Sequence, residues 1–316
     1  MSKLIDKKKA LKSLEVARMY YEADMGQVEI SNQLNLSRPT VSRLLQFAQD
    51  NGIVQIKIVD PFSCIESLEA TLQAKYGLKE AHVIYADYDN YKNLTQQLGV
   101  YTANYLSDIV SDGDIIGVSW GTTLYEVADA LQSQKAENVQ IVELKGSVTY
   151  TPTPVYGEDV LMKFGEAFHT APHELPLPVV FENQTTHDVV LKDRYIKKLI
   201  DLGKKTNIAI FTVGTTRDDA LLFKTGYFDK NDIRKLQKNA VGDICSRFIN
   251  ENGDIAVEDV NNRTMGIELT ELKEKEHSIL VAGGKRKYEA IKAALAGKYA
   301  NCLVTDVETA QKLINE

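Results

Sequence analysis

Cysteine is scarce in this chain of 316 residues, which holds only three, and no two of them form a CxxC pair. Cys64, Cys245 and Cys302 lie far apart, and their odd number argues against a disulfide framework of the kind that small secreted proteins use. The cysteine pattern therefore predicts a protein of a reducing, cytoplasmic compartment.

Long apolar runs are also missing. The longest ones, such as residues 208–213, have the length of a strand rather than of a membrane span. The first residues, MSKLIDKKKALKS, contain lysines but no apolar core of signal-peptide length. With 44% hydrophobic and 26% charged residues, the composition is that of a soluble globular protein, and no membrane partner is expected.

Several motifs of enzymes and cofactor sites are absent. The sequence has no GxxxxGK[ST] for a nucleoside triphosphate and no GxGxxG for a dinucleotide. His169 and His173 have the spacing of a helical metal pair, but Pro172 would break the helix that aligns them. No Ser-His-Asp arrangement stands out. These absences predict no metal, no cofactor and no catalytic residue.

Charge is unevenly distributed. The first 60 residues hold nine Lys and Arg against seven Asp and Glu, whereas the rest of the chain holds 28 against 37. Only the N-terminal part is therefore biased toward a polyanion such as DNA, and this bias alone does not establish nucleic-acid binding.

The periodicity predicts two domains, residues 1–61 and 62–316. In the first, helices are expected over 11–24, 28–34 and 38–50, with Leu14, Ala17 and Tyr21 on the buried face of the first helix. A strand over 53–59 would then form a wing behind the third helix. The hydrophobic residues of the second and third helices are spaced to pack two short helices together: Ile30, Leu34, Leu36, Val41, Leu44 and Leu45.

The segment ISNQLNLSRPTVSRLLQFAQDNG has the pattern of a helix-turn-helix. Asn35 tolerates the left-handed backbone of a tight turn, Ser37 is a suitable N-cap, and Pro39 fits the first helical turn. The polar N-terminal end of the third helix is the part that enters the major groove in such motifs. The alternative is a helical hairpin with a solvated basic face. The predicted DNA-binding residues are Ser37, Arg38, Thr40, Ser42 and Arg43.

From residue 62 onward, strand and helix patterns alternate, which predicts a doubly wound α/β sheet. Helices are expected over 65–76 and 94–110. Residues 245–258 interrupt the alternation and predict a hairpin that turns at Asn252-Gly253. The expected strands are 82–85, 115–119, 139–144, 208–213, 278–282 and 302–305.

Three predicted strand-to-helix junctions, VSWGTTL, TVGTTRD and VAGGKRK, combine glycine with threonine or basic residues. Backbone N–H groups at a helix N-terminus bind anions, so a phosphorylated small molecule is the expected ligand. Alternatively, the glycines only allow tight turns, and Trp120 could stack on a sugar or pack in the core. The predicted ligand-binding residues are Gly121, Thr122, Thr123, Gly146, Gly214, Thr215, Gly283, Gly284 and Lys287, with Asp243 and Arg263 as further hydrogen-bonding candidates or solvated turn charges.

A lysine at the end of an apolar strand, in the stretch IVELKGS, is either a solvated cap or a reactive amine. The amine of Lys145 must be neutral to act as a nucleophile, and its ordinary pKa is about 10.4. Apolar neighbours would lower this pKa by desolvation. The spacing of the residues leaves both interpretations open.

Five segments together resemble the SorC family of bacterial transcriptional regulators over essentially the whole chain. They are ISNQLNLSRPTVSRLLQFAQDNGIVQIKIVDPF, GDIIGVSWGTTL, IFTVGTT, AVGDICSRF and ILVAGGKRKYEAIKAALAGKYANCLVTD. The resemblance implies a winged helix-turn-helix followed by a Rossmann-type domain with a sugar-phosphate isomerase-like fold. It also implies that a phosphorylated sugar controls repression, that operator DNA is the partner, and that the protein is a homodimer or homotetramer without enzymatic activity.

The resemblance assigns roles to single residues. Thr122 and Thr123 match a phosphate-contacting turn, and Lys287 matches a phosphate-binding lysine. Lys145 matches a lysine that, in a family member controlling deoxyribonucleoside use, forms a Schiff base with deoxyribose 5-phosphate, and Gly146 would leave room for the sugar. Ser147 departs from relatives that often have a second glycine there.

The resulting expectation is a repressor of deoxyribonucleoside catabolism genes that deoxyribose 5-phosphate releases from DNA. One alternative is a regulator that responds to another phosphorylated sugar. A second alternative is a sugar-phosphate isomerase or Schiff-base aldolase. Turnover would then need a general acid or base beside the lysine. Glu143, two residues before Lys145 on the same strand, is the nearest candidate in sequence.

Overall fold

The computed structural model of the protein describes residues 7–54, 61–86, 90–149, 151–152 and 155–315. The chain divides into two compact units, Met1–Asp60 and Pro61–Glu316, called here the N-terminal unit and the α/β unit. Within the described ranges, no helix has both the length and the apolar character needed to cross a bilayer.

The part of the N-terminal unit that the structure describes contains three helices: α1 (Lys7–Tyr21), α2 (Gln27–Gln33) and α3 (Arg38–Asp50). Asn35 adopts the predicted left-handed conformation, with φ of 51°. Ser37 is the N-cap of α3 and its side chain accepts a hydrogen bond from the backbone N–H of Thr40, which confirms the predicted start of this helix. The turn between α2 and α3 is thus fixed by residues close together in sequence.

The core of this unit lies between the three helices. All six apolar residues predicted for α2, α3 and their turn belong to it. The predicted buried face of α1 was wrong in two positions, since Leu14 is 37% and Tyr21 is 44% exposed. Ser13, Val16 and Ala17 are buried instead. Two stripes of helical spacing overlap in α1, and only packing against α2 and α3 decides between them. The predicted wing strand falls mostly on residues 55–60, which lie outside the described residues.

The α/β unit alternates helices and strands as predicted. Its helices are α4 (Pro61–Tyr76), α5 (Tyr91–Ile109), α6 (Thr122–Ala130), α7 (Gly157–Ala167), α8 (Gln184–Val190), α9 (Arg194–Lys204), α10 (Lys230–Asn239), α11 (Glu258–Asn261), α12 (Leu269–Leu272), α13 (Tyr288–Ala296) and α14 (Val307–Asn315), with a 3₁₀ turn at Leu221–Lys224. Its strands are β1 (Glu80–Ile84), β2 (Ile115–Val118), β3 (Gln140–Glu143), β4 (Ile208–Phe211), β5 (Val213–Gly214), β6 (Gly242–Ile244), β7 (Arg247–Ile249), β8 (His277–Val281) and β9 (Cys302–Asp306).

Six strands form one parallel sheet in the order β1-β9-β8-β4-β2-β3. Successive residues of β4 alternate between two apolar cores, with Ala209 and Phe211 in one and Ile208 and Ile210 in the other. The sheet is therefore covered on both faces, and the mixed α/β architecture with a parallel sheet is confirmed. From β2 the chain moves outward to β3 and returns on the other side of β2 as β4. The topological switch point lies between β2 and β4, where ligands of such sheets bind beyond the carboxyl ends.

A second, antiparallel sheet contains β5, β6 and β7. The predicted turn at Asn252-Gly253 is confirmed, because the chain reverses there and Ile249 pairs antiparallel with Ile255. Backbone hydrogen bonds from Asn250 to Asp254 and from Ala256 to Phe248 flank this pair. Sequence reasoning missed a second turn, at Cys245-Ser246, which joins β6 to β7. Cys-Ser is not a residue pair that favours a tight hairpin turn, so sequence reasoning had no basis for placing the turn there.

Candidate ligand-binding cavity

A cavity of about 390 Å³ opens at the switch point of the parallel sheet. This switch-point cavity has a volume within the usual range of small-molecule sites, roughly 300–1,000 Å³. It is lined by the segments that follow β2, β3 and β4, by β5 and β6, by the 3₁₀ segment and by the turn before α13. Seven of the predicted ligand-binding residues line it: Gly121, Thr122, Lys145, Gly214, Thr215, Asp243 and Lys287.

Lys145 lies on the wall of the switch-point cavity and is only 4% exposed. Its Nζ donates a hydrogen bond to Ser246 Oγ at 3.1 Å and lies 3.5 Å from the ring centroid of Trp120. Burial lowers the pKa of the Lys145 amine, although the nearby Asp243 carboxylate opposes this shift. The interpretation as a solvated cap is therefore wrong, and the predicted direction of the pKa shift is confirmed.

Trp120 is buried and forms part of the cavity wall beneath the amine. Its indole Nε1 donates a hydrogen bond to the carbonyl of Gly146 at 2.9 Å, which ties β2 to the Lys145 segment. A Cβ atom at Gly146 would lie 2.3 Å from the carbonyl oxygen of Leu177. Gly146 does not line the cavity, and the chain needs glycine there for close packing against Leu177.

Lys287 lines the cavity and connects the segments that follow two strands. Its Nζ donates hydrogen bonds to Thr123 Oγ1 at 3.0 Å and to Thr212 Oγ1 at 2.9 Å. Thr123 is itself buried and contributes through Lys287 rather than by lining the cavity. The ammonium is thus fixed between the segments that follow β2 and β4.

The N-terminus of α6 also borders the cavity, because Thr122, its first residue, is a lining residue. Gly121 precedes it with φ of 133°, a conformation that favours glycine, and open space lies where its Cβ would be. The first N–H groups of a helix have no partner inside that helix. This end of α6 can therefore bind an anion, as the first glycine turn predicted.

The other two glycine turns differ from the prediction. Gly214 belongs to β5 rather than to a helix start. Gly283 and Gly284 do not line the cavity, and the N–H of Gly284 donates to Asp306 Oδ2 at 2.8 Å and to Thr309 Oγ1 at 3.0 Å. Gly283 makes room for the buried Asp306 carboxylate, since a Cβ atom there would lie 2.3 Å from Oδ2, and the N–H of Gly284 is already bonded and not free for a ligand.

Asp243 is a buried strand residue and not a solvated turn charge. Its Oδ2 accepts a hydrogen bond from the backbone N–H of Ser246 at 2.9 Å. A Cβ atom at Gly214 would lie 1.9 Å from Oδ1, so the carboxylate occupies the space that glycine leaves free. Burial raises the pKa of Asp243, and the Lys145 ammonium partly offsets this shift.

Arg263 is not brought to the cavity. Its guanidinium pairs with Asp232 at 2.6 Å and donates to the carbonyl of Phe181 at 2.9 Å, and the side chain is buried. Glu143 is separate as well, since its Oε2 accepts from the N–H of Leu175 at 2.8 Å and it lines a different, very small cavity. Burial raises the pKa of Glu143 to about 7.

Sequence reasoning missed several residues of the cavity. Arg286 lines the cavity and forms an ion pair with Asp219, and Lys224 is a further lining residue. Four basic and two acidic side chains therefore border the cavity, which favours an anionic ligand. Arg286 stands beside Lys287 in GGKRK and was within reach of the motif argument. Thr212 is the first residue of TVGTTRD and was within reach as well. The others, which include Tyr91 and Tyr156, were not.

The predicted DNA-binding residues lie together at the start of α3. Arg38, Ser42 and Arg43 are exposed. The hydroxyls of Ser37 and Thr40 lie 2.8 Å apart and form part of the helix cap. The two arginines are therefore available to a partner, whereas Ser37 and Thr40 already serve the helix start.

Comparison with known proteins identifies the family. The family described as "Putative sugar-binding domain" matches residues 60–315. The chain is 49% identical over 312 residues to the deoxyribonucleoside regulator of Bacillus subtilis, covering 99% of this chain and 100% of that protein. It is 30% identical over 310 residues to the sorbitol operon regulator of Klebsiella pneumoniae, covering 95% and 96% of the two chains.

Solved structures agree with this. The full-length sorbitol operon regulator SorC of Klebsiella pneumoniae superposes with a TM-score of 0.72 at 28% identity, covering 98% of this chain and 100% of that one. A transcriptional regulator of Streptococcus pneumoniae gives 0.76 at 26% identity, covering 81% and 98%. Because these matches span both units of the chain, it belongs to the SorC family of transcriptional regulators and carries the sugar-binding domain of that family.

Proposed function

We propose that this regulator is a DNA-binding repressor of deoxyribonucleoside catabolism genes, and that deoxyribose 5-phosphate, bound as a Schiff base to Lys145, releases it from its operator. The observation that carries the proposal is the buried amine of Lys145 on the wall of a cavity with an excess of basic side chains. The name of the Bacillus subtilis relative, deoxyribonucleoside regulator, agrees with this choice of effector.

The phosphate would bind at the end of the cavity formed by Lys287 and the N-terminus of α6. An ammonium has three N–H donors, and two of those of Lys287 are engaged by threonine hydroxyls, which leaves one for a phosphate oxygen. Thr122 and the first N–H groups of α6 supply further donors. A sugar phosphate carries a charge close to −2 near neutral pH, which matches the basic excess of the cavity.

The open-chain aldehyde would react with the Lys145 amine at the other end. Imine formation needs a neutral amine, and burial shifts the pKa of Lys145 in the direction that supplies it. Trp120 and Ser246 fix the position of the amine before the sugar arrives. A nucleophile that is already in place favours reaction with a bound aldehyde.

The N-terminal unit would bind DNA through α3. Its exposed Arg38, Ser42 and Arg43 lie at the helix end that enters the major groove in helix-turn-helix proteins. One such helix contacts few base pairs, so specific binding requires at least two copies of the chain on a palindromic operator. We therefore propose that the regulator acts as a homodimer or homotetramer.

Two other functions are alternatives to this one. A regulator of the same type could respond to another phosphorylated sugar, since the phosphate end of the cavity does not discriminate between sugars. An isomerase or aldolase is favoured less, because the names of the relatives are those of transcriptional regulators. An enzyme would release acetaldehyde or glyceraldehyde 3-phosphate from deoxyribose 5-phosphate, and the proposed repressor would not.

The decisive experiment is reductive trapping. Deoxyribose 5-phosphate and borohydride are added to the full-length protein, and intact mass followed by peptide sequencing locates the adduct. We expect one adduct on Lys145, none in Lys145→Met, and an unchanged adduct in Lys192→Met, in which an exposed lysine of α8's C-terminal loop is replaced. Unphosphorylated deoxyribose should give much less adduct at equal concentration.

The regulatory half of the proposal is tested on DNA. Deoxyribose 5-phosphate should reduce operator binding of the wild-type protein in a gel-shift titration and should have no such effect on Lys145→Met. An adduct on another lysine, or the absence of any adduct, would contradict the Schiff-base mechanism. Release of the DNA by a different sugar phosphate but not by deoxyribose 5-phosphate would favour the first alternative.

A further inference from the structure

The turn between β6 and β7 has an unusual backbone. Cys245 and Ser246 have φ values of 50° and 69°, so two successive residues other than glycine are left-handed. Such residues are disfavoured because their Cβ atoms crowd the backbone, and pairs of them in hairpin turns are normally Asn-Gly or contain glycine. Strained backbone of this kind persists where the surrounding structure enforces it, and it is concentrated at functional sites.

The surrounding contacts hold this turn firmly. Arg247, the next residue, is buried and donates from Nε to the carbonyl of Ile267 at 2.8 Å and from Nη2 to Glu268 Oε1 at 2.6 Å. The N–H of Ser246 donates to Asp243 Oδ2 at 2.9 Å, across the turn. The turn is thus closed on one side by a carboxylate and anchored on the other by a guanidinium.

The strained conformation has one consequence for the cavity. It places Ser246 Oγ 3.1 Å from Lys145 Nζ, although the two residues are 101 positions apart in sequence. Asp243, held by the same turn, lines the cavity together with Lys145. A hydroxyl and a carboxylate from one turn therefore accompany the amine, whereas Glu143, the nearest carboxylate in sequence, is bonded elsewhere.

We propose that this turn handles the proton in the imine step: Ser246 Oγ orients the Lys145 amine, and the Asp243 carboxylate takes up the proton that the amine loses and returns it to the hydroxyl that leaves as water. This inference rests on the proposed function, because it concerns the Schiff base formed there. Ser246 touches the reacting nitrogen, and Asp243 faces the cavity in which the aldehyde would lie.

The proton balance closes. The Lys145 ammonium first gives a proton to Asp243, and the neutral amine attacks the aldehyde carbon to form a C–N bond. One N–H proton moves to the former carbonyl oxygen, which gives a carbinolamine. Asp243 then protonates this hydroxyl, the C–O bond breaks, water leaves, and the nitrogen lone pair forms the C=N bond of an iminium ion. Asp243 ends as the carboxylate with which it began.

The environment of the two groups suits this exchange. Burial raises the pKa of the Asp243 carboxyl and lowers the pKa of the Lys145 amine, so the proton affinities of the two groups approach each other. General acid–base catalysis works best when the pKa of the donor lies near that of the acceptor and the operating pH. A solvated aspartate could not return a proton near neutral pH as readily.

The test measures the rate of trapping at saturating deoxyribose 5-phosphate, by quenching with borohydride at successive times and following intact mass. We expect the saturating rate to fall about 100-fold in Asp243→Asn and roughly tenfold in Ser246→Gly. Glycine is chosen at position 246 because it adopts φ of 69° without strain and removes only the side chain. In a pH profile, the trapping rate of the wild type should change with the ionisation of Asp243, and the rate of Asp243→Asn should lack that change.

A ligand without an aldehyde separates binding from chemistry. Deoxyribitol 5-phosphate keeps the phosphate and cannot form an imine, so the variants that act only on the chemical step should bind it within about threefold of the wild type, well under the tenfold that 1.4 kcal/mol would give. Saturating rates equal to the wild type, with only this affinity reduced, would overturn the inference and make the turn a binding element.

Failure of the proton-transfer role can be told apart from failure of the Schiff base itself. A wild-type protein that forms no adduct refutes the Schiff base itself, before any variant is compared. If Asp243→Asn does not fold, the result for Ser246→Gly decides, and a saturating rate at the wild-type level in that variant would overturn the inference.

Discussion

The two units of this regulator treat charge in opposite ways. In the described part of the N-terminal unit, no charged side chain is buried, and its candidate contact residues, Arg38 and Arg43, lie in solvent. Among the described residues of the α/β unit, eight charged side chains are buried: Glu143, Lys145, Asp243, Arg247, Arg263, Lys275, Lys287 and Asp306. In the proposed function, the first unit presents its exposed charge to a large external polyanion, whereas the second has charge prearranged around a small cavity.

The difference has a physical cause. A polyanion brings its own high field, and exposed arginines need no fixed geometry before they meet it. A small ligand must gain its affinity from a few contacts, which are strongest when they are desolvated and already in position. Burying charge is costly, so each buried group needs partners, and Lys287, Asp243 and Arg247 have them.

The largest effect of removing a buried charge is expected at Arg247. This side chain is 2% exposed and its guanidinium donates to four carbonyls, to Asn261 and to Glu268. Arg247→Met should lower the free energy of unfolding by about 3–5 kcal/mol, because the partners of a buried charge are left unsatisfied. Urea unfolding measures this loss.

Arg286→Met is the matched control. Arg286 also forms an ion pair, with Asp219, but its side chain is 45% exposed. Exposed ion pairs contribute little to stability, so this variant should unfold close to the wild type. Equal losses in the two variants would show that burial does not set the energetic weight of charge in this unit.

A second effect, on the pH dependence of stability, is expected from Glu143. Burial raises the pKa of this carboxyl from 4.5 to about 7. An acid with a raised pKa binds its proton more tightly when folded, so the folded state holds more protons between pH 4.5 and about 7. The contribution of Glu143 to the free energy of unfolding is therefore largest at low pH. It is lost as the pH rises to about 7, by on the order of 3 kcal/mol.

Glu143→Gln should remove that slope, because glutamine keeps an acceptor for the N–H of Leu175 and does not titrate. Urea unfolding at a series of pH values measures the slope. Glu137→Gln, at an exposed site of the same unit, should leave it unchanged. A wild-type slope in Glu143→Gln would mean that another group is responsible.

At the cavity, the contribution of a prearranged charge to ligand binding can be measured at Lys287. Lys287→Ala should weaken binding of deoxyribose 5-phosphate by about 1.5–3 kcal/mol, the usual contribution of a hydrogen bond to a charged group. Calorimetry with the Lys145→Met background removes the covalent step from the measurement. Unphosphorylated deoxyribose should be affected little, and equal losses for both sugars would mean that Lys287 does not contact the phosphate.

The smallest effect is expected at the surface of α3. Arg38→Ala and Arg43→Ala should each weaken specific operator binding by about 1–3 kcal/mol if the arginine contacts a base. Because both residues are exposed, thermal unfolding of the protein should not change. Gel-shift titrations that gave wild-type affinity and specificity for both variants would exclude this end of α3 from operator recognition.

Much of the fold was predictable because it depends on neighbours in sequence. Asn35, Ser37 and Pro39 form a turn and a helix start within five positions, and the structure has both as predicted. The alternation of strands and helices also follows from local periodicity. The predictions failed where two local patterns compete, as with Leu14 and Tyr21 in α1, because packing partners decide which stripe is buried.

The candidate site was predictable only in part. The sequence indicated Lys145 and Lys287. It offered Glu143 only as the nearest candidate acid or base in sequence, and it left Arg263 open between a ligand contact and a solvated turn charge. In the structure Glu143 accepts a hydrogen bond from Leu175 and Arg263 pairs with Asp232, and of the two further candidates only Asp243 lines the cavity. Distances across the fold decide these partners, and no short-range pattern contains them.

By itself, the sequence determined the helix start at Ser37, the α/β alternation and the strand-end position of Lys145, since hydrogen bonds and periodicity within a few residues set these features. The tertiary structure alone decided that Lys145 would meet Ser246 and share a cavity with Asp243. The reason is the sheet order, in which the chain leaves β2, returns as β4 and then folds β6 and β7 over the strand ends. Only this path brings segments 101 positions apart to within 3.1 Å.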